Sequence, residues 1–249
     1  MLSAIAALDA ITYLSICVKA LVYVVTFLAM GSVLSILTLR RLPASEVQAL
    51  TRLAAICAVG GALLSVLRLP VRASFLMGGT WQGATDPILL AMVWQSPLGV
   101  SIVLRLVGLG LICAILLPSR FGRWAAVFGG IIVAASFVLR GHAISEPRLL
   151  LCMLVTVHVL GLSFWIGGFA PLYRLAGHNS KGVAGQVCLE FGRLAVWGVG
   201  ALTLAGGVTL WLLTGNAMTA LATPYGQFFA VKLSPSLRSL ALPHATSCA

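Results

Sequence analysis

Leu149–Tyr173 reads LLLCMLVTVHVLGLSFWIGGFAPLY, a run without Asp, Glu, Lys or Arg and with a single histidine, His158, near its middle. At 1.5 Å of rise per residue this run outspans the roughly 30 Å hydrocarbon layer of a bilayer. Backbone amides in lipid must find partners within their own segment, so the run is predicted to be a transmembrane helix. A titratable imidazole at that depth is costly, which makes His158 the first candidate for a functional group.

Working outward, further spans are predicted at about Ile11–Leu39, Leu53–Leu67, Leu98–Leu117, Trp124–Leu139 and Leu194–Leu221. The chain is 60% hydrophobic and 8% charged, with a mean hydropathy of +1.08, which excludes an ordinary soluble domain. Barrel strands would show as alternating stretches of about ten residues, and none does. The expected fold is therefore all-α: a polytopic transmembrane helix bundle with six full spans. MLSAIAALDA at the N-terminus has no basic region and carries Asp9, so the first span is expected to stay in the membrane and not to act as a cleaved signal.

The net charge of +11 resembles a nucleic-acid signal until its distribution is read. Arg40, Arg41 and Arg52 fall between spans one and two, Arg120 and Arg123 between three and four, and Arg174, Lys181 and Arg193 between five and six. Cations in alternate loops mark the cytoplasmic side. The N-terminus is then periplasmic and the partner is the lipid bilayer, with no nucleic acid. Cys17, Cys57, Cys113, Cys152, Cys188 and Cys248 are scattered without a CxxC pair, so neither a disulfide framework nor a zinc site is indicated.

Two stretches match internally. SPLGVSIVLRL starts at Ser96 and TPYGQFFAVKL at Thr223; each has proline, glycine two residues later, a cation eight after the proline (Arg105, Lys232) and then leucine. The match predicts two parallel four-helix repeats, an architecture known in membrane proteins. The second repeat is incomplete, because SPSLRSLALPHATSCA follows Leu233 and its prolines would leave backbone groups unpaired in lipid. Residues 1–233 are therefore expected to form the transmembrane domain. Residues 234–249 read as an atypical, disordered tail, as a truncation or a shifted reading frame would produce.

WQSPLG (94–99) leading to Arg105, RGHA (140–143), HVLGLSFWIGGFAPL (158–172) and TPYGQFFAVKL (223–233) together resemble the copper-resistance D (CopD/PcoD) family of bacterial inner-membrane proteins. The most specific piece is the helix carrying His158, Trp165, Gly167 and Gly168. The resemblance covers about residues 10 to 233. It implies about eight spans in a full-length member and a periplasmic N-terminus. It also implies a role in copper resistance, uptake or homeostasis, beside a periplasmic copper-binding partner of the CopC type. The tail after Leu233 departs from the family pattern.

Copper(I) is soft and favours thiolate, thioether and imidazole. With the N-terminus outside, such groups in the outer half of the membrane are Cys17, Met77, Met92, His142, Cys152, Met153 and Met218. His158 lies deeper, about 13 Å below the start of its span. His142, Met153 and His158 are the candidate metal residues, with a surface imidazole above a buried one acting as receiver and relay. Neutral imidazole titrates near neutrality, so metal binding would be linked to protons. A lone histidine in a membrane helix also serves simply to bond a neighbouring helix, and Met153 suits core filling.

His158, Gly161, Trp165 and Gly168 share one helix face, which is expected to face the bundle. Lys19 and Arg105 are cations within apolar spans. Arg105, too deep for easy escape to water, is expected to pair with Asp86 or a backbone carbonyl. Two alternatives remain at this stage: a b-type haem electron carrier, for which histidines suffice for one haem and not two, and a non-transporting docking subunit. No phosphate-binding loop, carboxylate pair or nucleophile–base set is visible, so an enzyme is not expected.

Overall fold

The structure, a computed structural model, describes residues 10–139, 148–177 and 181–214. Among the described residues it is all-helical. The elements are α1 (Ala10–Thr38), α2 (Ala44–Leu76), a 3-10 turn (Trp81–Ala84), α3 (Pro87–Gln95), α4 (Pro97–Cys113) extended by a 3-10 turn to Leu116, α5 (Arg120–Ser136), α6 (Arg148–Ala176) and α7 (Lys181–Thr214). Five of these are long and apolar enough to cross a bilayer: α1, α2, α4 with its extension, α6 and α7.

The stretch expected as a fourth span differs. α5 has 17 residues, about 25 Å of helix. It ends early because the chain tightens into i→i+3 bonding, with Phe137 and Val138 donating to the carbonyls of Ala134 and Ala135. The second span is far longer than Leu53–Leu67, and α7 begins well before Leu194. Both helices carry polar turns that hydropathy does not count.

Local chemistry explains the starts. Asp86 accepts from the amides of Ile88 and Leu89 at 2.8 and 3.0 Å, with Pro87 following. Ser96 accepts from Leu98 ahead of Pro97 in the same way. Proline at the first helical position loses no hydrogen bond. α2 runs through Pro70 and stops at Met77, where Gly78 and Gly79 take positive φ, conformations open chiefly to glycine.

α1 is the central helix, packed chiefly on α2 and α6 with α5 alongside. Where it crosses α6 the two backbones touch: a Cβ added at Gly31 would sit 2.8 Å from the Gly167 Cα. Gly108 of α4 and Gly129 of α5 make a second crossing of this kind. In lipid, association rests on such close packing and on interhelical hydrogen bonds. The main core gathers α1, α2, α4 and α5 around Met30, Cys57, Leu109, Ile112 and Val133, with Val159 of α6 joining. A second cluster (Leu39, Phe164, Leu175, Val187, Phe191) ties the end of α1 to α6 and α7.

The arginine-rich end of the bundle is tied by carboxylates. Arg174 of α6 bridges to Glu46 of α2 at 2.9 Å, and Glu190 of α7 accepts from the amides of Arg40 and Arg41 at 3.1 and 3.2 Å. The second contact satisfies donors where the chain leaves α1.

Candidate functional site

Arg105 is the most buried charged side chain among the described residues. It lies two turns into α4, is 2% exposed, and sits between α4, α5 and the aromatic face of α1. Its Nε donates to Ser136 Oγ at 3.2 Å, and Nη2 reaches Ser101 Oγ at 3.5 Å. Ser101 Oγ donates to the Ser136 carbonyl at 2.8 Å, and Ser136 Oγ to the Val133 carbonyl at 2.6 Å. The guanidinium lies 4.4 Å over the Phe137 ring, which itself packs on Tyr23 and Phe27.

Hydroxyls and a ring face are thus among its partners. Asp86, expected as the counter-charge, caps α3 instead. A charge at the membrane centre costs about 2.5–3.5 kcal/mol on insertion scales. A desolvated cation–π contact returns about 2 kcal/mol, and hydrogen bonds to a charged group about 1.5–3 kcal/mol each, which together offset that cost. Ser101 and Arg105, one turn apart, were readable together; Ser136, 31 residues from Arg105, carried no local signal.

α6 divides its faces between two neighbours. Ser163 and Gly167 press on α1. Of the stripe expected to face the bundle, all but the exposed His158 do so, against α7: a Cβ at Gly161 would meet Leu202 at 2.9 Å, and one at Gly168 would collide with the Phe191 ring. Trp165 packs edge-on to Phe191 at 5.9 Å. His158 stands at the margin of this seam on the exposed side of the helix.

Met153 is also exposed, at 56%. Five residues along a helix turn about 140°, so Met153 and His158 point away from each other. His142 falls outside the described residues, as do His178 and His244. Among the described residues no group of three or more His, Cys, Asp or Glu is placed to hold a metal ion.

Two groups of sulfur donors stand out. Cys17, Met77 and Met92 lie exposed towards the end of the bundle opposite the arginine-rich loops. Met30 and Cys57 are buried in the main core, with Cys113 packed against it. That second set was missed by reading only the outer half of the membrane. Its signal is weak, because a buried cysteine or methionine in a helix reads as core.

At that same end, a cleft of ≈ 800 Å³ opens between α1, α2, α3 and the start of α4. Lys19, Arg68 and Arg72 line it together with Ser15 and Ser96. These cations come from two helices and were not read as a group in the sequence.

Comparison with known proteins bears on all of this. The family described as "Copper resistance protein D-like, N-terminal domain" matches residues 8–147. The copper transport protein CutJ of Bacillus subtilis is 28% identical over 193 residues, covering 71% of this chain and 35% of that protein. The chain thus spans well under half the length of this curated relative. No solved structure matches it. The family match takes in more than half of the 249 residues, including the whole of α1 to α5 and Arg105 with its hydroxyl partners. This multi-pass helical chain belongs to the copper resistance protein D-like family.

Proposed function

We propose that this chain takes part in copper transport or homeostasis at the bacterial inner membrane, with copper as its cargo. The observation that carries the reading is the family match over residues 8–147, and the copper-transport description of the Bacillus relative supports it. Membrane passage is supported by the five apolar helices. Arg40, Arg41, Arg120, Arg123 and Arg174 gather at one end of the bundle, which favours a cytoplasmic location for that end and a periplasmic N-terminus.

On this reading a full set of six spans forms two parallel four-helix repeats, the second incomplete, and the Ser96–Pro97 cap opens the helix of the first that carries Arg105. Copper(I) passes between imidazole and thioether donors, for which His142, Met153 and His158 are the residues of choice. Met153 and His158 point apart and so serve as successive stations, not as one ligand set. A periplasmic copper-binding protein of the CopC type supplies the metal. The role is transport and not catalysis.

The test is copper accumulation in cells with wild type and with His158→Ala, alongside metal analysis and an optical spectrum of the membrane-extracted protein. Loss of a ligand is expected to cost about tenfold or more in copper affinity. A Soret band overturns the reading in favour of a haem carrier. Unchanged accumulation in the double His142→Ala, His158→Ala variant reduces the chain to a docking subunit.

A further inference from the structure

The cleft beside α1 has a composition that copper transport does not explain. Lys19, Arg68 and Arg72 face it, and among the described residues no aspartate or glutamate lines it. Among the described residues none of the three cations makes a salt bridge. Asp86, at the start of the neighbouring α3, is spent on the amides of Ile88 and Leu89. Ser96 and Pro97 also line the cleft, so the positive end of the α4 dipole adds to the same field. Three like charges held within one recess repel one another and draw an anion.

The cations are also held in place. Arg68 and Arg72 are one turn apart on α2 and so share a face. Arg72 stacks 4.9 Å over Phe75, and the Lys19 ammonium lies 5.9 Å from the Tyr23 ring.

Depth and wall chemistry select the anion. Lys19 is nine residues from the start of α1 and Arg68 eight from the end of α2, each about 12–14 Å along its helix. α2, at 33 residues, is about 50 Å long and overhangs a roughly 30 Å hydrocarbon layer by about 10 Å at each end. The cations therefore straddle the boundary between headgroups and acyl chains, below the reach of a soluble protein's surface carboxylates. The remaining walls are apolar, with Ile16, Val71, Phe75 and Leu98 among them.

A small soluble anion would satisfy the charges and leave those walls unfilled; a phosphate that carries acyl chains satisfies both. We propose that this cleft binds the headgroup of an anionic phospholipid, its phosphate held by Lys19, Arg68 and Arg72 and its chains lying along the apolar walls. A lipid so bound neutralises a field that would otherwise repel an approaching copper cation. That consequence rests on the copper reading, but the binding itself does not.

The experiment reads lipid and not copper. The full chain is placed in nanodiscs of phosphatidylcholine alone and of phosphatidylcholine mixed with phosphatidylglycerol, and retained lipid is counted by native mass spectrometry after release into detergent. Retention of phosphatidylglycerol over phosphatidylcholine by wild type is expected, and each Lys or Arg replaced lowers that preference about fivefold. Arg72→Gln, at the exposed rim, tests the site even if the triple variant Lys19→Gln, Arg68→Gln, Arg72→Gln fails to fold, and Lys19→Arg is expected to retain the lipid. Equal retention of both lipids by wild type overturns the proposal. So does an undiminished preference in Arg72→Gln and the triple variant. Displacement by inorganic phosphate with no preference between the lipids assigns the cleft to a soluble anion and also overturns it.

Discussion

At Arg105 the bundle closes completely around one guanidinium, supplying Ser101, Ser136 and the Phe137 ring. Lys19, Arg68 and Arg72, on neighbouring helices, face an open cleft with no carboxylate among the described residues of its wall. The difference shows that a membrane-embedded cation by itself says little about purpose. What the bundle builds around it decides. A charge given internal hydroxyl and aromatic partners joins helices, whereas charges left beside a recess mark where something else must come.

The largest expected effect breaks the closed pocket by inverting its charge. Arg105→Glu puts a carboxylate against two hydroxyls and the negative face of Phe137, an uncompensated buried charge worth about 3–5 kcal/mol. Thermal unfolding in detergent should show loss of the folded state, and a melt like wild type would mean that the pocket opens to water. Removing one acceptor is gentler. Ser136→Ala leaves the Arg105 Nε without its hydroxyl partner and should cost about 1–3 kcal/mol in the same assay.

Arg105→Met sharpens the comparison further. Ser101 and Ser136 keep their bonds to carbonyls, and the volume is roughly conserved, so stability should change by less than about 1.5 kcal/mol. If copper accumulation falls while the melt stays put, the charge acts on the cargo's path. If both stay put, Arg105 only positions helices.

How much of this was legible in the sequence follows from the range of each signal. Spans were legible because hydropathy is local. Their ends were not, because α2 and α7 continue as helices through Arg52, Glu46 and Glu190, residues a bilayer argument discards. The stripe of Gly161, Trp165 and Gly168 was readable from helical phase alone, but not that Leu202 and Phe191 would fill it. The Arg105 pocket was half visible, as Ser101 lies one turn away, while Ser136 had no mark to separate it from any other serine. The cleft was invisible, because Lys19 reads as a lone cation within its span until α1 and α2 are laid side by side.

The smallest expected effect tests the open side of the comparison. Arg72 is exposed and bonded only through its stack on Phe75, so Arg72→Gln should change the melting free energy by no more than about 0.5 kcal/mol in detergent free of anionic lipid. Added phosphatidylglycerol should raise the melting temperature of wild type more than that of the variant, since a ligand stabilises only the state that binds it. Raising the salt should shrink this gap, because the charges at the rim of the cleft are screened by solvent ions, whereas the Arg105 pocket, closed to solvent, should not respond. A gap that ignores salt would mean that Arg72 acts through packing on Phe75. The cleft would then resemble the Arg105 pocket, with its cations serving the fold instead of a ligand.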